Sequence, residues 1–383
     1  MTKAQVTNLS RHIDTVARHF DFLSLDDHCT RASEFPLQKA HPAKASAQIP
    51  EHLMHRSLVG GIHALYSHDL NARRGNHLFY TIDATGADGL RITFHAIDVA
   101  HSFADPLLIQ VTRSLLSLLG YEHRIRVNMI GDKDAKRRFV KELTEFFKRS
   151  APTIGASPAP TQEKEVLAAY RALLATDDDL AYVSPVSIDH LNEKSRRNLR
   201  EILDYLDMSE APYEIDPRLT GDYLYHSGFV FTADVTPSKE AVAPTCTVYG
   251  GAYDDYAHTH HDPRHSCASV TLHFTAHTPR DLPVKAAPDT AIALAAIGFA
   301  PKLYSYRIMD TLLQAGMSVH HNPTSLSLSE QLGLAAEKNA RIILIAGTHE
   351  ATRKEIIIRN VVSEKQQTIP LAKLVSTLKS LVR

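Results

Sequence analysis

The segment PRDLPVKAAPD (279–289) places three prolines within eleven residues, and the pattern of apolar side chains changes across it. Proline lacks the amide proton that a helix interior or an inner strand uses, so prolines at this density end whatever precedes them. The chain is thereby expected to divide into domains at 1–282 and 288–383. Beyond the break, strand and helix patterns alternate. Thr290–Ile297, Ser318–His320, Arg341–Ala346 and Glu355–Val361 read as strands. Lys302–Ala315, Ser327–Asn339 and Leu371–Leu381 read as helices. Strands separated by single helices predict a small α/β domain with a mostly parallel sheet.

The longer first part is less regular. Val6, Leu9, Ile13, Val16, Ala17 and Phe20 recur at helical spacing over residues 1–20. Residues 30–50, rich in Ala, Pro, Lys and Ser, read as irregular, and 51–70 as a helix turning Leu53, Leu58, Ile62 and Leu65 inward. His77–Asp83 and Leu90–Val99 read as strands joined by a TGADG turn, Pro106–Leu119 as an apolar helix stopped at Gly120, and His123–Ile130 as a strand. Helices at Lys133–Arg149, Glu163–Leu174 and Ile188–Leu206 suggest a helical insertion over about 133–210. Strands follow at Leu224–Asp234, Cys246–Tyr249 and Ala268–Thr275.

Composition removes several function classes. Forty-two basic and 43 acidic side chains nearly cancel, so any nucleic-acid contact has to come from a local patch. Three cysteines, Cys29, Cys246 and Cys267, make neither a disulfide framework nor a paired zinc motif. The first twenty residues lack a signal-peptide pattern and there is no apolar run of about 18 residues, so the expected location is the cytoplasm and not a membrane. Phosphate-loop and dinucleotide fingerprints are missing. The segment HTHHDPRHSC offers His258, His260, His261, His265 and Cys267 as weak metal ligands. Their spacing fits no standard zinc module, and a polar loop is the favoured reading. His320 and His321, ahead of a helix start, are expected to face solvent.

The last hundred residues resemble the anticodon-binding domain of class II aminoacyl-tRNA synthetases, histidyl-tRNA synthetase in particular. The resemblance rests on LLQAGMSV followed by SLSEQLGLAAEKNARIILIAGTHEATRKEIIIRNVVSEKQQTIP. In the first part, PEHLMHRSLVGGIHALY resembles the family segment that begins RPE.T, and FHAIDV resembles FHQ.G.E. YHSGFVFTADV resembles YYTGTVFE, and GGAYDDY resembles GGRYD.L. The resemblance runs from about residue 49 to the C-terminus. It implies a class II fold, an antiparallel sheet flanked by helices, followed by a small α/β anticodon-binding-like domain. A homodimer paired through motif 1 is also implied, although motif 1 is poorly recognisable within residues 18–48.

Class II adenylation builds negative charge on the α-phosphate of ATP and needs positioned arginines and magnesium. Matched position by position, the family's motif 2 arginine falls near Gly86, and the arginine of RGLDYY falls on Gly221. GGRYD becomes GGAYD with Ala252, and motif 3 is replaced by CASVTLHFTAHT. In the histidine pocket the family's Gln and Glu appear as Ala96 and Ala100, its Thr as Leu53, and the second Tyr of DYYTG as His226; Glu51 is retained. Nearby arginines that bear on rescue are Arg73, Arg74, Arg264 and Arg280. No catalytic residue and no cofactor is therefore expected, and ATP with magnesium enters only if the chain is a divergent active ligase. The leading expectation is a non-catalytic relative with a tRNA-binding or regulatory role, its RNA candidates Arg353, Lys354 and Arg359. The alternatives are an active histidine–tRNA ligase and a structural or regulatory protein partner. A role like the regulatory subunit of ATP phosphoribosyltransferase is disfavoured, because that subunit lacks the anticodon-binding domain.

Overall fold

The computed structural model describes residues 3–24, 77–84, 89–154, 160–176, 178–221, 226–237, 246–255, 266–275 and 292–381. The expected helix at 51–70, the irregular 30–50 and the proline-rich break lie outside them.

The first part is built on an eight-stranded sheet of order β1-β2-β3-β8-β7-β6-β4-β5. Its strands are β1 Leu23–Ser24, β2 His77–Ala84, β3 Leu90–Ile97, β4 Tyr121–Gly131, β5 Tyr213–Ile215, β6 Ser227–Pro237, β7 Cys246–Ala252 and β8 Cys267–Phe274. The inner pairings are antiparallel, and only the short edge strands β1 and β5 run parallel to their neighbours. Alternate side chains therefore face opposite sides of the sheet. Leu78, Tyr80, Ile92, Phe94, Val127, Phe229, Phe231, Val248, Val270 and Leu272 share a core with the first helix, α1 (Lys3–His19), and the central helix, α2 (His101–Leu118).

The central helix begins five residues earlier than its sequence suggests, leaving Pro106 inside it. Proline there forfeits one backbone hydrogen bond near the helix start, and burial of Phe103 and Ala104 offsets that loss. The helix ends at Leu118, one residue before the expected Leu119, with Gly120 in the left-handed region (φ 81°). The insertion helices are α3 (Lys133–Ile154, longer than expected) and α4 (Glu163–Leu174, as expected), followed by the short α5 (Asp179–Tyr182). The single helix expected over Ile188–Leu206 is instead a 3-10 turn, Ser187–His190, and a separate helix α6, Glu193–Met208. The break falls at Asn192, whose side-chain oxygen accepts from the Ser195 amide at 2.9 Å and starts a new helix.

The C-terminal part holds a four-stranded sheet of order β12-β11-β10-β9. The strands are β9 Ile292–Ala296, β10 Ile342–Ala346, β11 Glu355–Asn360 and β12 Gln366–Pro370, with helices α7 Phe299–Gln314, α8 Leu328–Glu337, α9 Thr348–Arg353 and α10 Leu374–Leu381. The sheet is mixed and not mostly parallel: β9 and β10 are parallel, whereas β10–β11 and β11–β12 are antiparallel. The connection from β10 to β11 is too short for a parallel crossover, which takes about a dozen residues, and Lys354 at φ 55° turns the chain back. The expected strand Ser318–His320 reduces to one bridge, Ala293 to His320.

The two parts are in contact. Phe103 of α2 packs on Phe299 of α7, Ser114 donates to Asp310 at 2.5 Å, and Tyr205 of α6 meets Tyr306 edge-on. His19, at the end of α1, is held by the Met309 carbonyl at 2.7 Å.

Candidate functional site

Cross-strand register sorts the candidate positions of the large sheet into two sets. Leu78, Ala96, Ala268 and Ala252 are direct neighbours across β2, β3, β8 and β7, on the face that carries Phe94 and Val270. Ala96, Ala268 and Ala252 are all buried. Where the family resemblance puts a glutamine and an arginine, this chain thus has a row of methyl groups packed in an apolar core.

Gly221 and His226 belong to the other face. His226 is buried, and its ring lies over Tyr253 with centroids 4.5 Å apart. Its backbone oxygen accepts from Lys136 Nζ at 2.9 Å, and Lys136 also approaches Asp255 at 3.7 Å. Gly221 has φ 57°, and a Cβ there would stand 2.8 Å from His226 Nδ1; at Gly251 it would stand 2.9 Å from His226 Cδ2. Imidazole and tyrosine rings close this corner against glycine backbone, so a side chain at 221 would require His226 to shift.

Ala100 is exposed and caps α2 without a side-chain bond. Beside it lies an arrangement that the sequence did not single out. His101 Nε2 is 2.7 Å from Asp254 Oδ2, and its Nδ1 is 3.5 Å from Asp105 Oδ2. Burial pushes the His101 pKa down, but the carboxylates of Asp105 and Asp254 more than offset it and hold the imidazolium well above the usual histidine range. Burial raises the Asp105 pKa against the pull of His101. Asp254 Oδ1 also accepts from the Cys267 amide at 2.8 Å, tying the start of β8 to this group.

Cys267 is itself buried and takes part in strand pairing with Ile97. Its four histidine companions, His258, His260, His261 and His265, lie outside the described residues, as do Glu51, Leu53, Gly86 and the arginines 73, 74, 264 and 280. Among the described residues no group of three or more His, Cys, Asp or Glu is placed to hold a metal ion.

The face opposite the core carries a polar set that the sequence did not single out. Thr81, Thr93, Thr271, Tyr249 and Thr232 are successive neighbours across five strands. Thr93 and Thr271 share a hydrogen bond of 3.0 Å. The adjoining positions are Asp83, Arg91, His273 and Thr247 on one side and His95, Ser269 and Gly251 on the other. His95 Nδ1 is 2.8 Å from the Ser269 hydroxyl, and burial lowers its pKa to about 4, so the ring is neutral. Every residue of β3 is buried, polar ones included, which hid the usual alternation of an open sheet face.

In the C-terminal part, Arg353, Lys354 and Arg359 are all exposed. Arg353 ends α9, and Arg359 lies on β11 beside Ile343 and Gln366. Lys354 turns toward the first part and pairs with Glu210, which Arg307 also meets at 2.9 Å. His321 does not face solvent as expected: it is buried, with Nδ1 2.8 Å from the Leu294 carbonyl and Nε2 2.9 Å from the Ser305 hydroxyl. A carbonyl only accepts, so Nδ1 carries the proton. Burial, then nearby Lys302, keeps this ring neutral. Lys302 is buried beside it, donating to Asn322 O and Gln331 Oε1 at 2.8 and 2.9 Å, and burial lowers its pKa to about 7.

A family model described as the anticodon binding domain matches residues 292–381. The chain is similar to a histidine–tRNA ligase of Thermosipho melanesiensis, 26% identical over 288 residues that cover 73% of this chain and 67% of the relative. It is also similar to that of Bacillus velezensis, 25% identical, covering 72% and 66%. The chain spans about two thirds of the length of the curated relatives it matches. The solved structure of apo histidyl-tRNA synthetase from S. aureus has the same fold, with a TM-score of 0.50 and 14% identity over 96% of this chain and 94% of that one. In its large antiparallel-rich sheet and its C-terminal anticodon-binding domain the chain is histidyl-tRNA synthetase-like.

Proposed function

We propose that this chain does not adenylate histidine and serves instead in tRNA binding or regulation on a synthetase scaffold. The corner at Gly221 carries the reading. The family places an arginine at this position, and here the backbone is left-handed and a Cβ would stand 2.8 Å from His226. The buried methyl row at Ala96 and Ala252 supports it, since neither residue has a donor for substrate or phosphate. Loss of one preorganised donor costs about 3 kcal/mol of transition-state stabilisation, and several losses together leave little catalysis.

The C-terminal sheet and its helices are fully formed, which supports a retained binding role for that domain. We place the protein in the cytoplasm as a homodimer, with tRNA or a protein as partner; no described helix is long and apolar enough to cross a membrane. Histidine-dependent ATP–pyrophosphate exchange tests the reading. No exchange above a protein-free control is expected. Clear exchange that Glu51→Ala abolishes establishes the active-ligase alternative in its place. Light scattering at micromolar concentration tests the dimer, and a monomer refutes it.

A further inference from the structure

The turn after α6 and the turn after α9 belong to different parts of the chain, yet the same unusual backbone recurs in both. Glu210 has φ 53° and Lys354 has φ 55°, the left-handed region where glycine is the usual residue past a helix end. The first turn is closed by the Ala211 amide on Leu206 O at 3.0 Å, the second by the Lys354 amide on Ala351 O at 3.4 Å. Glycine would form either turn without strain. Each instead carries a long charged side chain, and the two meet, Lys354 Nζ donating to Glu210 Oε1. The other oxygen, Oε2, accepts from Arg307 Nη2 at 2.9 Å, and Arg307 is anchored in turn on Met208 O at 3.2 Å. The hydrogen bond from Lys354, then that from Arg307, holds the Glu210 carboxyl below the usual carboxylate range. One carboxylate of the first part thus faces two cations of the C-terminal part. The side chains of Lys354 and Glu210 are 59% and 53% exposed, and an ion pair so open to water is weak and screened by salt.

We propose that Glu210 is an internal competitor, whose carboxylate occupies Lys354 and Arg307 in place of an RNA phosphate and holds down the affinity of the C-terminal domain for RNA. The contact is autoinhibitory, and it rests on the reading of that domain as an RNA binder. Carboxylate and phosphate oxygens make the same charge-assisted bonds to ammonium and guanidinium groups, so either can fill this place. Release asks only for rotation of the Glu210 side chain into the water that it already faces. An RNA that engages the exposed Arg353, next in sequence to Lys354, brings its neighbouring phosphate at high effective concentration and displaces the carboxylate.

Filter binding of total tRNA to the full chain tests the proposal. Glu210→Gln removes the competing charge and is expected to tighten binding about 2- to 10-fold and to steepen the salt slope by up to about 2 units, one for each cation released. Lys354→Ala is expected to weaken Glu210→Gln more than it weakens the wild type, and that non-additivity is the signature of competition. Glu364→Gln removes an equal charge from an exposed position in the same part of the chain and serves as the control. An equal gain from Glu364→Gln, or a Glu210→Gln gain that survives Lys354→Ala in full, overturns the proposal. Wild-type binding that Glu210→Gln does not tighten overturns it and leaves the RNA reading standing, whereas no binding by any variant overturns both. Glu210→Gly removes the carboxylate and the backbone strain together, so loss of the contact is read without loss of stability. Tightened binding by this variant supports the proposal, and an unchanged Kd overturns it.

Discussion

His226 stands over Gly221 so closely that a Cβ on residue 221 would lie 2.8 Å from its Nδ1. Restoring the family arginine by Gly221→Arg is therefore expected to destabilise the protein by about 2 kcal/mol, from left-handed backbone strain together with the clash. It restores no pyrophosphate exchange by itself. Urea denaturation read beside the exchange assay checks both parts.

The acid group at the start of α2 makes a second prediction. His101→Ala leaves the buried Asp105 carboxylate without its cation and is expected to cost about 3–5 kcal/mol. The double substitution His101→Leu with Asp105→Leu is expected to recover most of that loss, because it removes the buried charge as well as its partner. A double-mutant cycle in urea measures the coupling.

On the C-terminal domain, RNA binding through Arg353, Lys354 and Arg359 predicts a steep fall in affinity with salt, each phosphate contact releasing counterions. Lys354 is already committed to Glu210, so the arginines are expected to carry most of the slope. Filter binding of total tRNA at two salt concentrations checks this: Arg353→Ala with Arg359→Ala flattens the slope by up to about 2 units. Glu210→Gln, which releases Lys354, strengthens binding. Equal binding by all variants, or none, leaves a protein as the partner.

Acid is expected to loosen the junction between the two parts. Burial lowers the His19 pKa to about 4 from the ordinary histidine value of about 6.5, with the Met309 carbonyl partly opposing the shift. The unfolded chain then binds more protons between those values, so this group's stability is complete above about pH 6.5 and is lost as pH falls toward 4. The span corresponds to roughly 3 kcal/mol. His19→Gln keeps an N–H for Met309 but does not titrate. Stability curves over pH 4–7 for the two proteins are expected to converge at the acid end.

Periodicity in the sequence located the long helices and inner strands, because amphipathic spacing is a local property: Glu163–Leu174 matches in full, whereas short elements such as Tyr213–Ile215, Thr348–Arg353 and Gln366–Pro370 carry too few residues to show a period. Misreadings arose where one side chain decides the outcome, as at Asn192, or where connection length fixes strand direction, as between β10 and β11. The motif comparison led to Gly221 and Ala252, as the positions where the resemblance implies an arginine, since those are single-letter changes. It did not separate the face of Ala96 and Ala252 from that of Gly221 and His226, which depends on register among strands distant in sequence. Arg91 escaped notice for a related reason. Its neighbours Asp83 and His273 are eight and 182 positions away, and the pairing exists only once the sheet has formed.

The bond between His19 and the Met309 carbonyl joins positions 290 residues apart. A ribosome delivers the first of them long before the second, so the last turn of α1 leaves the exit tunnel with its eventual neighbour unmade. At about 5–20 residues per second that interval is on the order of 15–60 s. During it, Phe20 and the end of α1 have no α7 to lean on. Helix α1 is thus synthesised well before the helix that secures its end, and the nascent chain carries an apolar helix end in need of shelter until Met309 has emerged.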